Sequence, residues 1–125
     1  MSFSAIVLAA AGLALLFAPA EVQRAVARSQ PAAPMVLQLW SAALLGLAAA
    51  DWAGRGLTLG GIYGRALVAG NTVHWTVGAL VAIRALLDGP RPPALWAAML
   101  VYALLALGFN WILRRHPGPA ASPAA

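Results

Sequence analysis

The chain contains no cysteine and no lysine, and only three acids, Glu21, Asp51 and Asp88. Without cysteine there can be no disulfide, no thiolate metal site and no cysteine nucleophile; the compartment stays open. Charged residues of either sign make up 9% of the chain and apolar residues 62%. A soluble domain carries roughly 45–50% apolar and about 25% charged residues. A soluble class is therefore excluded. The net charge of +5 comes from eight arginines scattered at the ends of apolar runs. Nucleic-acid binding would need a dense basic patch on a soluble face. At run ends, arginines meet lipid phosphates instead, so no nucleic-acid partner is expected. A chain of 125 residues allows one domain, placed at 1–115.

What is present is long apolar runs. They predict helices over about 3–20, 35–52, 66–87 and 94–113. Crossing a roughly 30 Å hydrocarbon core takes about 20 helical residues, with 17–25 usual. The backbone must be satisfied internally in lipid, which leaves helices or a closed barrel, and runs without period-two alternation exclude the barrel. The expected fold is an all-α membrane protein with four transmembrane helices in an antiparallel bundle. One alternative touches the first run: Ala18-Pro19-Ala20 has the small-x-small form of a signal-peptidase site. Cleavage there would leave three helices. The opening residues lack positive charge and proline is awkward beside the cut, so a retained helix is expected.

Between the runs, Glu21 to Arg28 reads as one or two helical turns on the surface, ended by Pro31 and Pro34. Asp-Gly-Pro-Arg-Pro-Pro, 88–93, is a proline-stiffened turn that makes helices three and four antiparallel neighbours. Residues 116–125, rich in proline and alanine, are expected to be disordered. Trp40, Trp52, Trp96, Trp111 and Tyr63 fall near run ends, where amphipathic rings favour the interface. Gly56, Gly60 and Gly64 are expected in a loop with positive backbone angles. Orientation is undetermined: Arg55, Arg65, Arg114 and Arg115 share one side, Arg24, Arg28, Arg84 and Arg91 the other. The same balance is what a chain inserting both ways round would show.

Polar side chains inside the runs are few, and each costs free energy unless partnered. Asn71 and His74 lie one turn apart in the third run. Alternating helix direction converts position into depth and brings Asp51, Tyr63, Arg65, Asn71, His74 and Asn110 to the half of the bundle nearest the termini. These form the candidate polar cluster, with Asp51 or Asn110 as partners for a histidine nitrogen. Towards the other side, Gln38, Arg84, Asp88 and Glu21 share a level. There Arg84 and Asp88 can pair at i,i+4, and a terminal arginine ordinarily snorkels to the headgroups. Small or polar stripes fit close helix packing: Ser41, Ala42 and Ala49 in the second run, Gly70 and Gly78 in the third, Ala103 and Ala106 in the fourth.

No chemistry-bearing set accompanies these groups. His74 is the one histidine within a run, so haem ligation needs two copies of the chain. Zinc lacks its ligands at any usual spacing. Gly60-Gly61-Ile62-Tyr63-Gly64-Arg65 fits neither a phosphate loop nor a dinucleotide fingerprint. No serine–histidine–acid arrangement is evident, and no cofactor or metal is expected. A proton relay through His74 stands beside the simpler reading of a hydrogen-bonded packing histidine.

Asp51-Trp52, Arg55-Gly56, Gly60-Gly61-Ile62-Tyr63-Gly64-Arg65, Asn71 and His74-Trp75, in that order, resemble small four-helix bacterial integral membrane proteins of no known activity. The likeness spans roughly residues 35–87. It implies a four-helix membrane fold and a bacterial source, and no activity. Asp51 stands where asparagine is commoner in that pattern. The expectation is a non-enzymatic accessory or interaction protein of the bacterial inner membrane, with the bilayer and a second copy or another membrane protein as partners. The alternative is a small transporter or channel subunit acting as a dimer, its path at Asn71 and His74. A lipid- or quinone-handling enzyme has no catalytic set to name.

Overall fold

A computed structural model describes residues 1–26, 34–57 and 61–115. Arg28, Pro31, Gly60 and the expected disordered tail, 116–125, lie outside the described residues. The described chain is all-α: α1 (Ser2–Phe17), α2 (Pro19–Val26), α3 (Pro34–Ala53), a 3-10 turn (Gly54–Gly56), α4 (Ile62–Asp88) and α5 (Pro93–Arg115).

The first run departs from its expected extent. α1 has 16 residues, about 24 Å of helix, and stops at Phe17. Ala18 precedes a proline, which disfavours the α region, and it sits at φ −134°, ψ 51°. Pro19 then opens α2, the position where its missing N–H is harmless. The chain axis turns by 111° across this break. α2 contains the short polar segment as far as Val26, with an exposed Arg24–Glu21 pair at 2.8 Å.

Prolines also start α3 at Pro34 and α5 at Pro93. The turn before α5 is closed by Leu95 N–H donating to the Pro92 carbonyl at 3.0 Å. Arg91 Nε donates to the Leu86 carbonyl at 2.9 Å, covering one of the orphan acceptors at the end of α4. α4 starts four residues earlier than hydropathy predicts, because Arg65 N–H donates to the Gly61 carbonyl at 2.9 Å and completes a first turn. Gly64 is therefore helical and buried. Gly56 lies in the 3-10 turn, and no described glycine has a positive φ. The glycines admit close packing here rather than unusual backbone angles: a Cβ at Gly54 would overlap the Leu67 side chain.

Two close antiparallel pairs result. α1 packs on α3, where a Cβ at Gly12 would come within 2.8 Å of Leu45 Cγ and 3.2 Å of the Ser41 carbonyl oxygen. α4 packs on α5, where a Cβ at Gly78 would overlap the Tyr102 ring. Leu8, Ala48, Val68, Trp75, Ala106 and Phe109 draw one core from all four long helices. A second cluster, Ala82, Leu86 and Leu95, receives Val26 of α2 at the other end.

The outer surface is as apolar as the inside: Ile62 is 83% exposed, Leu107 70% and Val81 62%. In water such a surface would drive association. Three helical stretches, Pro34–Gly56, Ile62–Asp88 and Pro93–Arg115, are long and apolar enough to cross a membrane. The number rises to four if the bent pair α1–α2 counts as one span.

Candidate functional site

Three buried polar residues, Ser4, Asp51 and Asn71, meet at one point, between the start of α1, the last turn of α3 and the third turn of α4. Asn71 is its hub. Its Oδ1 accepts from Ser4 Oγ at 3.2 Å and from Trp75 Nε1 at 3.1 Å. Its Nδ2 donates to Asp51 Oδ1 at 2.5 Å and to the Leu67 carbonyl at 3.1 Å. A primary amide offers two donors and two acceptor positions, so Asn71 is saturated. Its orientation is fixed chemically as well: indole Nε1 only donates, so it must face the amide oxygen. Trp75 Nε1 also reaches Ser4 Oγ at 3.2 Å, closing a triangle.

All four side chains are almost fully removed from solvent: Asn71 and Asp51 at 0% exposure, Ser4 and Trp75 at 1%. Three of the bonds, Ser4 to Asn71, Trp75 to Ser4 and Asn71 to Asp51, tie the α1–α3 pair to α4. Because a buried polar atom without a partner costs more than a made bond contributes, the arrangement favours one register between the two pairs.

Two side-chain atoms break this economy. Among the described residues, Asp51 Oδ2 and His74 Nε2 are the buried side-chain nitrogen and oxygen atoms that find no hydrogen-bond partner. His74 is held by rings instead, edge-on to Trp75 with centroids 4.9 Å apart and tilted at 5.7 Å from Tyr102. Tyr102 in turn packs edge-on against Trp75 at 4.9 Å, in the space left by Gly78. The hydrogen-bonded clasp and the aromatic group thus share Trp75.

Of the six residues expected to converge, Asp51 and Asn71 are brought into direct contact. His74 lies on the aromatic side of the same turn. Asn110 belongs to the α4–α5 contact, donating to Thr76 Oγ1 at 3.1 Å and to the Ala106 carbonyl at 2.9 Å. Tyr63 and Arg65 are exposed and sit outside the cluster, Tyr63 at 79%. Ser4 and Trp75 join the site from outside the six expected residues. Trp75 is four residues from Asn71, the spacing of helical neighbours, and that signal was available. For Ser4 the only hint was its level in the first run.

The remaining polar groups are ordinary. Thr72 and Ser41 bond back to carbonyls of their own helices, Val68 at 2.8 Å and Gln38 at 2.7 Å. Arg84 and Asp88 form an exposed i,i+4 pair at 3.2 Å, while Gln38 is exposed and Glu21 turns to Arg24. No group of three or more histidine, cysteine or acidic residues able to hold a metal occurs among the described residues. Trp40, Trp52, Trp96 and Trp111 are all exposed, near helix ends or one to two turns inside. Two of them carry arginines over their rings, Arg55 on Trp52 at 4.4 Å and Arg115 on Trp111 at 3.9 Å. No family model, curated protein or solved structure matches this chain.

Proposed function

We propose that the chain is a small integral protein of the bacterial inner membrane, a four-span antiparallel bundle that serves as an accessory or interaction protein without catalytic activity. The saturation of Asn71 supports this reading most directly. Its four hydrogen-bonding positions are taken by groups of the same chain, so this amide holds helices together and has no position left for a substrate. The wide apolar exterior then meets lipid and partner helices. The small four-helix family that the Asp51-to-Trp75 pattern resembles belongs to the same proposal.

A second reading, a transporter or channel subunit working as a dimer, is favoured by the two partnerless atoms, Asp51 Oδ2 and His74 Nε2. A proton acceptor needs such a free position. Reconstitution into sealed vesicles with an internal pH dye separates the two readings. The accessory reading expects proton flux equal to that of empty vesicles for the native chain. Flux above that level, abolished by Asp51→Asn or His74→Leu with unfolding unchanged, would install the transport reading instead.

A further inference from the structure

α1 and α3 leave an open-sided groove of about 400 Å³ on the outer surface. Ala5, Ile6 and Ala9 of α1 form one wall; Leu45, Ala48, Ala49 and Trp52 of α3 form the other. The four alanines form its floor and sides between the larger Ile6, Leu45 and Trp52, beside the close contact at Gly12. From Leu45 to Trp52 it runs about 10 Å along the helix axis. Its lining side chains are apolar.

The outer end is different. Trp52 lies in the last turn of α3, and the exposed Arg55 guanidinium lies over its ring, 4.4 Å from the centroid. Arg55 Nη1 donates to the Trp52 carbonyl at 2.6 Å, which holds the side chain against Trp52, the last lining residue of α3. A guanidinium has five N–H donors in a planar fork suited to phosphate oxygens, so one bond to Trp52 leaves the fork largely available. The nearest acid in the sequence, Asp51, is fully buried and bonded to Asn71. The mouth is therefore net positive, at the level where tryptophan places the headgroup region.

We propose that this groove holds one acyl chain of an anionic phospholipid, with Arg55 pairing the phosphate. Trp52 divides the two halves of the ligand: its ring is wall to the chain and platform to the cation. The trench tracks an extended hydrocarbon, and basic residues beside clefts between membrane helices recognise anionic headgroups. This goes beyond the accessory role and holds whether or not that role does.

The test is retention of lipid by the full chain extracted from vesicles of equal phosphatidylglycerol and phosphatidylcholine, read by native mass spectrometry. One phosphatidylglycerol per chain is expected, retained in preference to phosphatidylcholine. Arg55→Gln is expected to lower that retention about fivefold, the effect of one arginine near an anionic surface. Arg115→Gln, which removes the other tryptophan-stacked arginine away from the groove, is the control and should change nothing. Ala49→Phe fills the trench from its exposed side and should abolish retention; Ala9→Leu fills it from α1, should one of the two disturb folding. Equal retention in Arg55→Gln and Arg115→Gln overturns the proposal. So does a two-chain species that Ala49→Phe dissociates, which would make a second copy the occupant.

Discussion

Asn71→Ala is the perturbation with the largest consequence that the geometry allows. Four hydrogen bonds end on this amide, and two of them cross between helix pairs. Interhelical hydrogen bonds in membrane proteins average about 0.6 kcal/mol and reach about 1.7, so the two crossings account for about 1–3 kcal/mol. Asp51 then loses its side-chain hydrogen-bond partner among the described residues, inside a site with 0% exposure. Stranding a buried polar group adds about 1–3 kcal/mol, and more for a charged one. A loss of about 3 kcal/mol is expected, a large share of the roughly 5–15 kcal/mol that holds a folded protein. The double variant Asp51→Ala/Asn71→Ala removes the stranded group, so it should cost about 1–2 kcal/mol less than the sum of the single variants. Reversible unfolding in mixed micelles, followed by helical circular dichroism, measures all four corners of the cycle. Tyr63→Ala, at an exposed site outside the cluster, should stay within about 0.5 kcal/mol of the native chain. An Asn71→Ala variant as stable as Tyr63→Ala, or a strictly additive double variant, would refute the hub.

Three further outcomes follow from particular contacts. Gly78→Ala drives a methyl group into the Tyr102 ring and should cost about 1–3 kcal/mol in the same unfolding assay. Gly70→Ala, where a Cβ meets nothing within 4 Å, should be neutral or stabilise by up to about 1 kcal/mol. His74→Leu replaces a ring whose buried Nε2 makes no hydrogen bond, so unfolding should shift by less than about 1.5 kcal/mol; a larger loss would mean that this nitrogen has a partner. Because the chain has no cysteine, single cysteines report sidedness directly. In the four-span arrangement, membrane-impermeant thiol reagents should reach Ser2→Cys, Arg55→Cys and Arg115→Cys from one side and Arg24→Cys and Gly89→Cys from the other. Ser2→Cys labelling together with Arg24→Cys would show that the bent α1–α2 pair does not cross.

The legible and illegible parts of this chain divide along a physical line. Hydropathy locates the long helices to within a few residues, since lipid demands unbroken apolar length. It missed the break at Ala18 because proline and alanine barely interrupt an apolar run, whereas the pre-proline backbone constraint acts regardless of polarity. Depth arithmetic puts Asp51 and Asn71 at one level on different helices, but offers Asp51 to a His74 nitrogen rather than to the Asn71 amide it meets. It failed on azimuth. The buried face of α4 comprises Gly64, Val68, Asn71, Thr72, Trp75, Ala79, Ala82 and Leu86. At about 100° per residue these fall within a stripe about 100° wide, with Trp75 about 10° from its middle. His74 is then about 110° from the middle, Tyr63 about 130° and Arg65 about 70°. Each shares a helix with the hub and points elsewhere. In a soluble helix a polar flank would have marked that stripe. Here Val73, Val77 and Leu80 on the outside are as apolar as Val68 inside, because lipid exerts no preference that separates the two faces. The inward face of such a helix is written in residue size and hydrogen-bonding capacity: Gly64, Ala79 and Ala82 for close approach, Asn71 and Trp75 for bonds. The ionisable His74 is the conspicuous residue in this run, and the neutral Asn71 one turn before it makes the hydrogen bonds.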